Sequence, residues 1–127
     1  MKNLAVIGST GSIGQNTLRV VEHLAYRFKI FALSANSSID RLAEQTAAFH
    51  PAVIAITDPA RVDEFRNRCR ELRISVPEVV TGESGLRQIT SASEVDIVVS
   101  AAVGAAGAFS TEPVGLVVLA GSAGLKG

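Results

Sequence analysis

An apolar strand that runs straight into a glycine-spaced turn, and from there into a helix, constrains this chain more than any other feature. Leu4-Ala5-Val6-Ile7 is an unbroken apolar run, the pattern of a parallel strand covered on both faces. Gly8-Ser9-Thr10-Gly11-Ser12-Ile13-Gly14 follows directly. From Ile13 to Leu24 a helix is expected, since Leu18, Val21 and Leu24 recur at helical spacing with Val20 and Ala25 beside them. Strand, turn and helix in this order open a βαβ unit, whose next strand pairs parallel to the first.

The rest of the chain repeats the alternation. Lys29 to Leu33 reads as a second strand, and Ser37 or Ser38 caps a helix running to Phe49. Ser37 and Asp40 suit a variant of the capping box. His50-Pro51 stops that helix, because a residue before proline avoids helical angles. Ala52 to Ile56 is a third strand, and Asp58-Pro59 starts the next helix with a capping carboxylate and a first-turn proline. That helix, Ala60 to Leu72, carries Val62, Phe65, Cys69 and Leu72 on one side. Val76 to Val80 is a fourth strand, which Pro77 places at an edge or a strand start. Gly82 to Ile89 is a short helix or turn, Val95 to Ala101 a fifth strand, and Leu116 to Ala120 a sixth. The predicted fold is α/β: a Rossmann-type doubly wound sheet, mainly parallel, with helices on both faces and right-handed crossovers. Residues 1–107 are expected to form the domain, and 108–127 a divergent or truncated tail of it.

Composition narrows the function classes. A chain of 127 residues builds one core, and 47% apolar against 19% charged residues argues against disorder. Twelve basic residues balance twelve acidic ones without a long block of either sign, so neither nucleic acid nor a membrane is an expected partner. No apolar run reaches the roughly 18 residues of a membrane span. Cys69 is the sole cysteine, which excludes an internal disulfide, fits a reducing compartment, and reads as a buried or half-buried helix thiol. The first strand begins so close to Met1 that no signal or transit peptide is expected, and the expected location is the cytoplasm.

In its strand–helix setting the glycine spacing has a physical purpose. One glycine permits the tight turn, one lets the backbone approach a pyrophosphate, and the last lets helix pack closely on strand. Free N–H groups at the helix start, backed by the helix dipole, then hold the anion, and Thr10 and Ser12 can add hydroxyls. No Gly-Lys-Ser/Thr follows, so the turn is not a P-loop. After the second strand, Ser34-Ala35-Asn36-Ser37-Ser38 contains no acid to accept from a ribose 2′-hydroxyl. That permits NADP, with Asn36, Ser37 and Ser38 as donors to the 2′-phosphate and Arg41 as a counter-charge; the same three residues also suit a turn and a cap.

Three stretches together carry a resemblance. They are Leu4 to Gly14 with Thr17-Leu18 and Val20-Val21; Phe31-Ala32-Leu33-Ser34-Ala35 with Leu42-Ala43-Glu44-Gln45; and Ala101-Ala102-Val103-Gly104-Ala105-Ala106-Gly107. Over about four-fifths of its length the chain resembles the nucleotide-binding domain of 1-deoxy-D-xylulose 5-phosphate reductoisomerase, an enzyme of the non-mevalonate isoprenoid pathway. The resemblance implies NADP(H) bound by Gly8, Thr10, Gly11, Ser12, Ile13 and Gly14, by Asn36, Ser37 and Ser38 at the 2′-phosphate, and by Ala102, Val103 and Gly104 on the nicotinamide side. It also implies Mg²⁺ or Mn²⁺, the substrate 1-deoxy-D-xylulose 5-phosphate, reduction to 2-C-methyl-D-erythritol 4-phosphate, and homodimers of the full-length enzyme.

Two departures stand out. Ser37 occupies a position where the family often has Lys or Arg. Beyond Gly107 the family's Pro-Thr pair and Ala-Asn-Lys-Glu motif are not reproduced, so the chain is expected to be truncated, deleted or altered in frame there, and inactive alone. Asp40, Glu44, Asp58, Asp63, Glu64 and Glu71 read as solvated caps and helix faces, and His23 and His50 lie far apart in sequence; no catalytic residue and no metal ligand is assigned. Two other readings stay open on the residues alone: a cofactor domain of another NAD(P)-dependent dehydrogenase, and a nucleotide-binding module without chemistry.

Overall fold

The computed structural model describes residues 1–100 and 117–120. In chain order the elements are β1 (Lys2–Ile7), α1 (Ser12–His23), β2 (Phe28–Ala35), α2 (Ile39–Phe49) and β3 (Val53–Ile56). A 3₁₀ turn (Pro59–Arg61) leads into α3 (Val62–Glu71), followed by β4 (Glu78–Thr81), α4 (Gly82–Ser91), β5 (Ile97–Ser100) and β6 (Val117–Ala120). The strands form one sheet in the order β4-β3-β2-β1-β5-β6. β1 to β5 pair in parallel, whereas β6 runs antiparallel to β5. The sheet is therefore mainly parallel, as expected, with β4 at an edge and Pro77 just before it.

The two faces have different coverings. Leu18 and Val21 of α1, Ile39 and Leu42 of α2, and Phe65 and Cys69 of α3 pack with Leu4, Val6, Ile54 and Ile56 in the larger core. On the other face Ile89 of α4 packs with Ala5, Ala32, Ala55 and Val98. Among the described residues helices thus lie on both sides, three against one. β2 carries an irregularity: Leu4 pairs with Ile30 but Ala5 pairs with Ala32, so Phe31 is an extra residue on its strand. This bulge resets the alternation, letting Ile30, Leu33 and Ala35 all enter the larger core.

Several boundaries differ from the sequence expectation. β2 extends through Ser34 and Ala35, because both residues are buried and Ala35 pairs with Ile56 of β3. Gly82–Ser91 is a full helix, whose Gly85 and Ile89 are buried. β5 is Ile97–Ser100, and Ala101 lies outside the described residues. The capping box is absent. Ser38 is the N-cap of α2 and makes no side-chain capping bond, while Asp40 lies 3.6 Å from Arg68 of α3. α2 does end at His50, but through a left-handed residue (φ 50°, ψ 54°) whose N–H still donates to the Thr46 carbonyl at 2.9 Å. Asp58 caps as expected, accepting from the Ala60 N–H at 3.0 Å, although what it starts is the 3₁₀ turn. Cys69 is fully buried.

Candidate functional site

The strand order places β1 between β2 and β5, where the chain, having wound outward to β4, returns to the other side of its starting strand. In open α/β sheets the crevice at the carboxyl ends of such neighbouring strands is where ligands bind. The Gly8–Gly14 turn stands at that end of β1. Gly8 has φ 74°, a left-handed conformation that turns the chain sharply off the strand and that side chains rarely adopt. Gly14 packs against the turn. A Cβ there would clash with the Gly8 carbonyl oxygen and lie 2.6 Å from both the Cα and the carbonyl carbon of Ser9. At Gly11, by contrast, an added Cβ meets only the Gly8 oxygen at 3.8 Å, so its surroundings are open. Gly8 and Gly14 thus make the tight turn and the close packing that the spacing predicts, and Gly11 leaves its backbone uncovered.

α1 starts without a cap. Gly11 occupies the N-cap position and supplies no side-chain bond, and the first turn holds no acid. The first intrahelical acceptor used is the Gly11 carbonyl, which takes the Gln15 N–H at 2.9 Å. The N–H groups of Thr10, Ser12, Ile13 and Gly14 donate to no acceptor among the described residues. Uncapped amides at the positive end of a twelve-residue helix suit an anion.

A residue that sequence reasoning left without a role holds this turn in shape. Gln45, on α2, accepts from the Ser9 hydroxyl at 2.7 Å and donates from Nε2 to the Ser9 carbonyl at 2.8 Å. Ser34 at the end of β2 completes the hold: its Oγ accepts from the Gly8 N–H and its carbonyl from the Ser9 N–H, each at 3.0 Å. Ser9 is fully buried and Gln45 only 9% exposed, so these bonds are shielded from competing water. A glutamine in the middle of a predicted amphipathic helix was the one available signal, since its amide sits on the face that Leu42 and Thr46 bury.

At the end of β2, Asn36, Ser37 and Ser38 are exposed and form the turn into α2. Ser37, Ser38 and Arg41 join Thr10 around a cleft of about 450 Å³, together with Ile39, Asp40 and Glu64. The structure therefore brings together the glycine turn and the turn after β2, the two groups that the sequence singled out. Ala102, Val103 and Gly104 lie outside the described residues. A separate cavity between α1 and β5, about 350 Å³, is lined mainly by apolar residues such as Leu4, Val20, Val21 and Ile97, with Asn16 and Thr17 its polar members. Asp40, Glu44, Asp58, Asp63, Glu64 and Glu71 are exposed, as expected. Among the described residues no three His, Cys, Asp or Glu side chains converge in a way that could hold a metal ion. Nor is any helix among them long and apolar enough to cross a membrane.

A doubly wound sheet with an uncapped helix start and a glycine turn at the carboxyl end of its first strand defines a class: the Rossmann-type domains. Comparison with known proteins carries this further. The family model for 1-deoxy-D-xylulose 5-phosphate reductoisomerase matches residues 4–114, and the chain belongs to that family. The reductoisomerase of Thermodesulfovibrio yellowstonii is 39% identical over 111 residues, which are 87% of this chain and 28% of that protein. That of Desulfosudis oleivorans is 45% identical over 107 residues, 84% of this chain and 27% of the relative. A crystal structure of the enzyme with NADPH, fosmidomycin and magnesium superposes with a TM-score of 0.75 at 35% identity, covering 87% of this chain and 27% of that one. The Zymomonas mobilis enzyme in complex with NADPH gives 0.65 at 26% identity, covering 73% and 24%. The chain spans little more than a quarter of the length of the curated relatives it matches. Family membership decides against a cofactor domain of some other dehydrogenase family.

Proposed function

We propose that this chain is the NADP(H)-binding part of a 1-deoxy-D-xylulose 5-phosphate reductoisomerase. The observation that carries the reading is the row of unpartnered amides at Thr10, Ser12, Ile13 and Gly14, set beside the open Gly11. In this reading those amides hold the diphosphate, with the Thr10 and Ser12 hydroxyls beside them. Gly8 and Gly14 keep the turn tight, and Ile13 contributes its free amide. Asn36, Ser37 and Ser38 face the 2′-phosphate, and Ala102, Val103 and Gly104 line the nicotinamide side. Bound NADPH supplies a hydride; the protein's part is to fix its position with donors already in place.

The reaction of the whole enzyme is a rearrangement of 1-deoxy-D-xylulose 5-phosphate followed by reduction to 2-C-methyl-D-erythritol 4-phosphate, a step of non-mevalonate isoprenoid synthesis. Asp40, Glu44, Asp58, Asp63, Glu64 and Glu71 do not fit the Mg²⁺ or Mn²⁺ which that chemistry implies: they are exposed, and among the described residues no three His, Cys, Asp or Glu side chains converge as a hard cation needs. Metal and sugar-phosphate ligands are accordingly assigned to the portion of the family sequence that this chain does not match. The cytoplasm as location and a homodimer as the full-length assembly belong to the same reading, the former supported by a single buried thiol.

Titration of NADPH fluorescence against folded protein tests the first part, with saturable binding below millimolar concentration as the expected result. Absence of binding at millimolar NADPH, in a sample shown to be folded by circular dichroism, refutes it. The second part predicts no NADPH oxidation by this chain with 1-deoxy-D-xylulose 5-phosphate and Mg²⁺. Measurable turnover would refute it.

A further inference from the structure

The turn after β2 lacks a cation of its own, yet a guanidinium is held against it from elsewhere. Arg61, the last residue of the 3₁₀ turn before α3, donates from Nη1 to the Ser37 carbonyl at 3.4 Å. The same Nη1 lies 3.3 Å from Glu64 Oε1, one turn further along. Two contacts thus fix the head of a side chain that remains 39% exposed. Ser37 and Glu64, the residues it touches, both line the cleft that begins at Thr10 of the glycine turn. Arg61 stands 24 residues from Ser37, so nothing local in the sequence connects them.

We infer that Arg61 is the residue that makes this site prefer a 2′-phosphorylated dinucleotide, taking over the charge that Ser37 does not supply. This inference rests on the dinucleotide reading above. In doubly wound folds the turn after the second strand faces the ribose 2′ position, and selectivity there depends on whether an acid or a cation meets it. No acid stands at Asn36, Ser37 or Ser38, and Asp40, which shares the cleft, lies 3.6 Å from Arg68. A guanidinium anchored through one nitrogen keeps its remaining N–H donors for the forked pairing that phosphate favours. Arg41 lines the same cleft from the first turn of α2 and adds charge, whereas Arg61 stands beside the cleft, bonded to the Ser37 carbonyl of the turn itself. Glu64 has two opposed effects: it steadies Arg61 and places a carboxylate on the cleft, which repels an incoming dianion. The Coulomb contribution of an exposed pair is modest, so the effect belongs to selectivity and not to the whole of affinity.

The test compares NADPH and NADH binding, by nicotinamide fluorescence, for the wild-type chain, Arg61→Gln and Glu64→Gln. Arg61→Gln is expected to weaken NADPH roughly five- to tenfold and to leave NADH within about twofold, the scale of one solvent-facing charge-assisted bond. Glu64→Gln is expected to strengthen NADPH by a few fold. The pair 2′,5′-ADP and 5′-AMP, used as competitors, repeats the comparison without the nicotinamide. Equal loss of NADPH and NADH in Arg61→Gln would make the residue merely structural, and unchanged binding of both would remove it from the site; either overturns the inference. Failure of the wild-type chain to bind either dinucleotide is a different outcome, since it overturns the dinucleotide reading itself and this inference with it.

Discussion

Gly14 and Gly11 lie in the same turn, three residues apart, and alanine at each should have opposite consequences. A methyl at Gly14 would sit 2.6 Å from two backbone atoms of Ser9, about 0.8 Å inside the 3.4 Å at which ordinary contact begins. Ser9 cannot simply step aside. Its hydroxyl and carbonyl are bound to Gln45 and its N–H to Ser34, and a shift of that size would carry the 2.8 Å bond from Gln45 to about 3.6 Å, past the useful range. Overpacking of this kind costs about 1–3 kcal/mol, and one or two weakened bonds add about 1 kcal/mol each. The better helix propensity of alanine returns at most about 1 kcal/mol. Gly14→Ala should therefore destabilise the unliganded protein by roughly 2–4 kcal/mol, lowering the melting temperature by about 10 °C for a domain of this size. At Gly11 the nearest atom to the added carbon is 3.8 Å away, and φ −73°, ψ 173° suits alanine. Gly11→Ala should melt within about 2 °C of wild type yet bind NADPH at least tenfold more weakly, because the methyl occupies the approach to the amides. Thermal denaturation and NADPH titration of both variants check this. If Gly14→Ala melts like wild type, or Gly11→Ala loses as much stability as Gly14→Ala, the division of roles between the two glycines is wrong.

Gln45→Met keeps the reach of the side chain but leaves the buried Ser9 carbonyl without its partner and the Ser9 hydroxyl with only the Ser34 carbonyl at 3.4 Å; a loss of about 1–3 kcal/mol in urea denaturation is expected, with weaker NADPH binding at temperatures where the variant remains folded. Phe65, fully buried between α3 and the sheet, should cost about 3–5 kcal/mol when replaced by alanine, read from the shift in urea midpoint. Burial pushes the Cys69 thiol above its ordinary range by desolvation, so disulfide-exchange reagents should label it slowly in the native protein and fast in denaturant. As pH rises past that ordinary range the unfolded chain releases its thiol proton first. The contribution of Cys69 is therefore fully present at lower pH and lost on the alkaline side, and Cys69→Ala should flatten that limb of the stability profile.

Much of the architecture is written in short stretches. Apolar runs such as Leu4–Ile7 and Val53–Ile56 announce buried parallel strands, and Asp58-Pro59 announces a helical start, because each signal acts over a few neighbouring residues. The glycine spacing likewise specifies its own geometry: the positive φ of Gly8 and the close packing at Gly14 follow from the chain leaving a strand and entering a helix within five residues. What local pattern could not contain is every contact made across the crossovers. The Phe31 bulge, the three added residues of β2 and the antiparallel course of β6 depend on which strand lies alongside. Gln45 meets Ser9 across 36 residues and Arg61 meets Ser37 across 24, since only the packing of α2 and α3 on one face of the sheet brings those side chains to the ends of β1 and β2. Residue order thus decides where amides are left open for an anion, while the assembled layers decide which distant side chains brace them and what charge they meet.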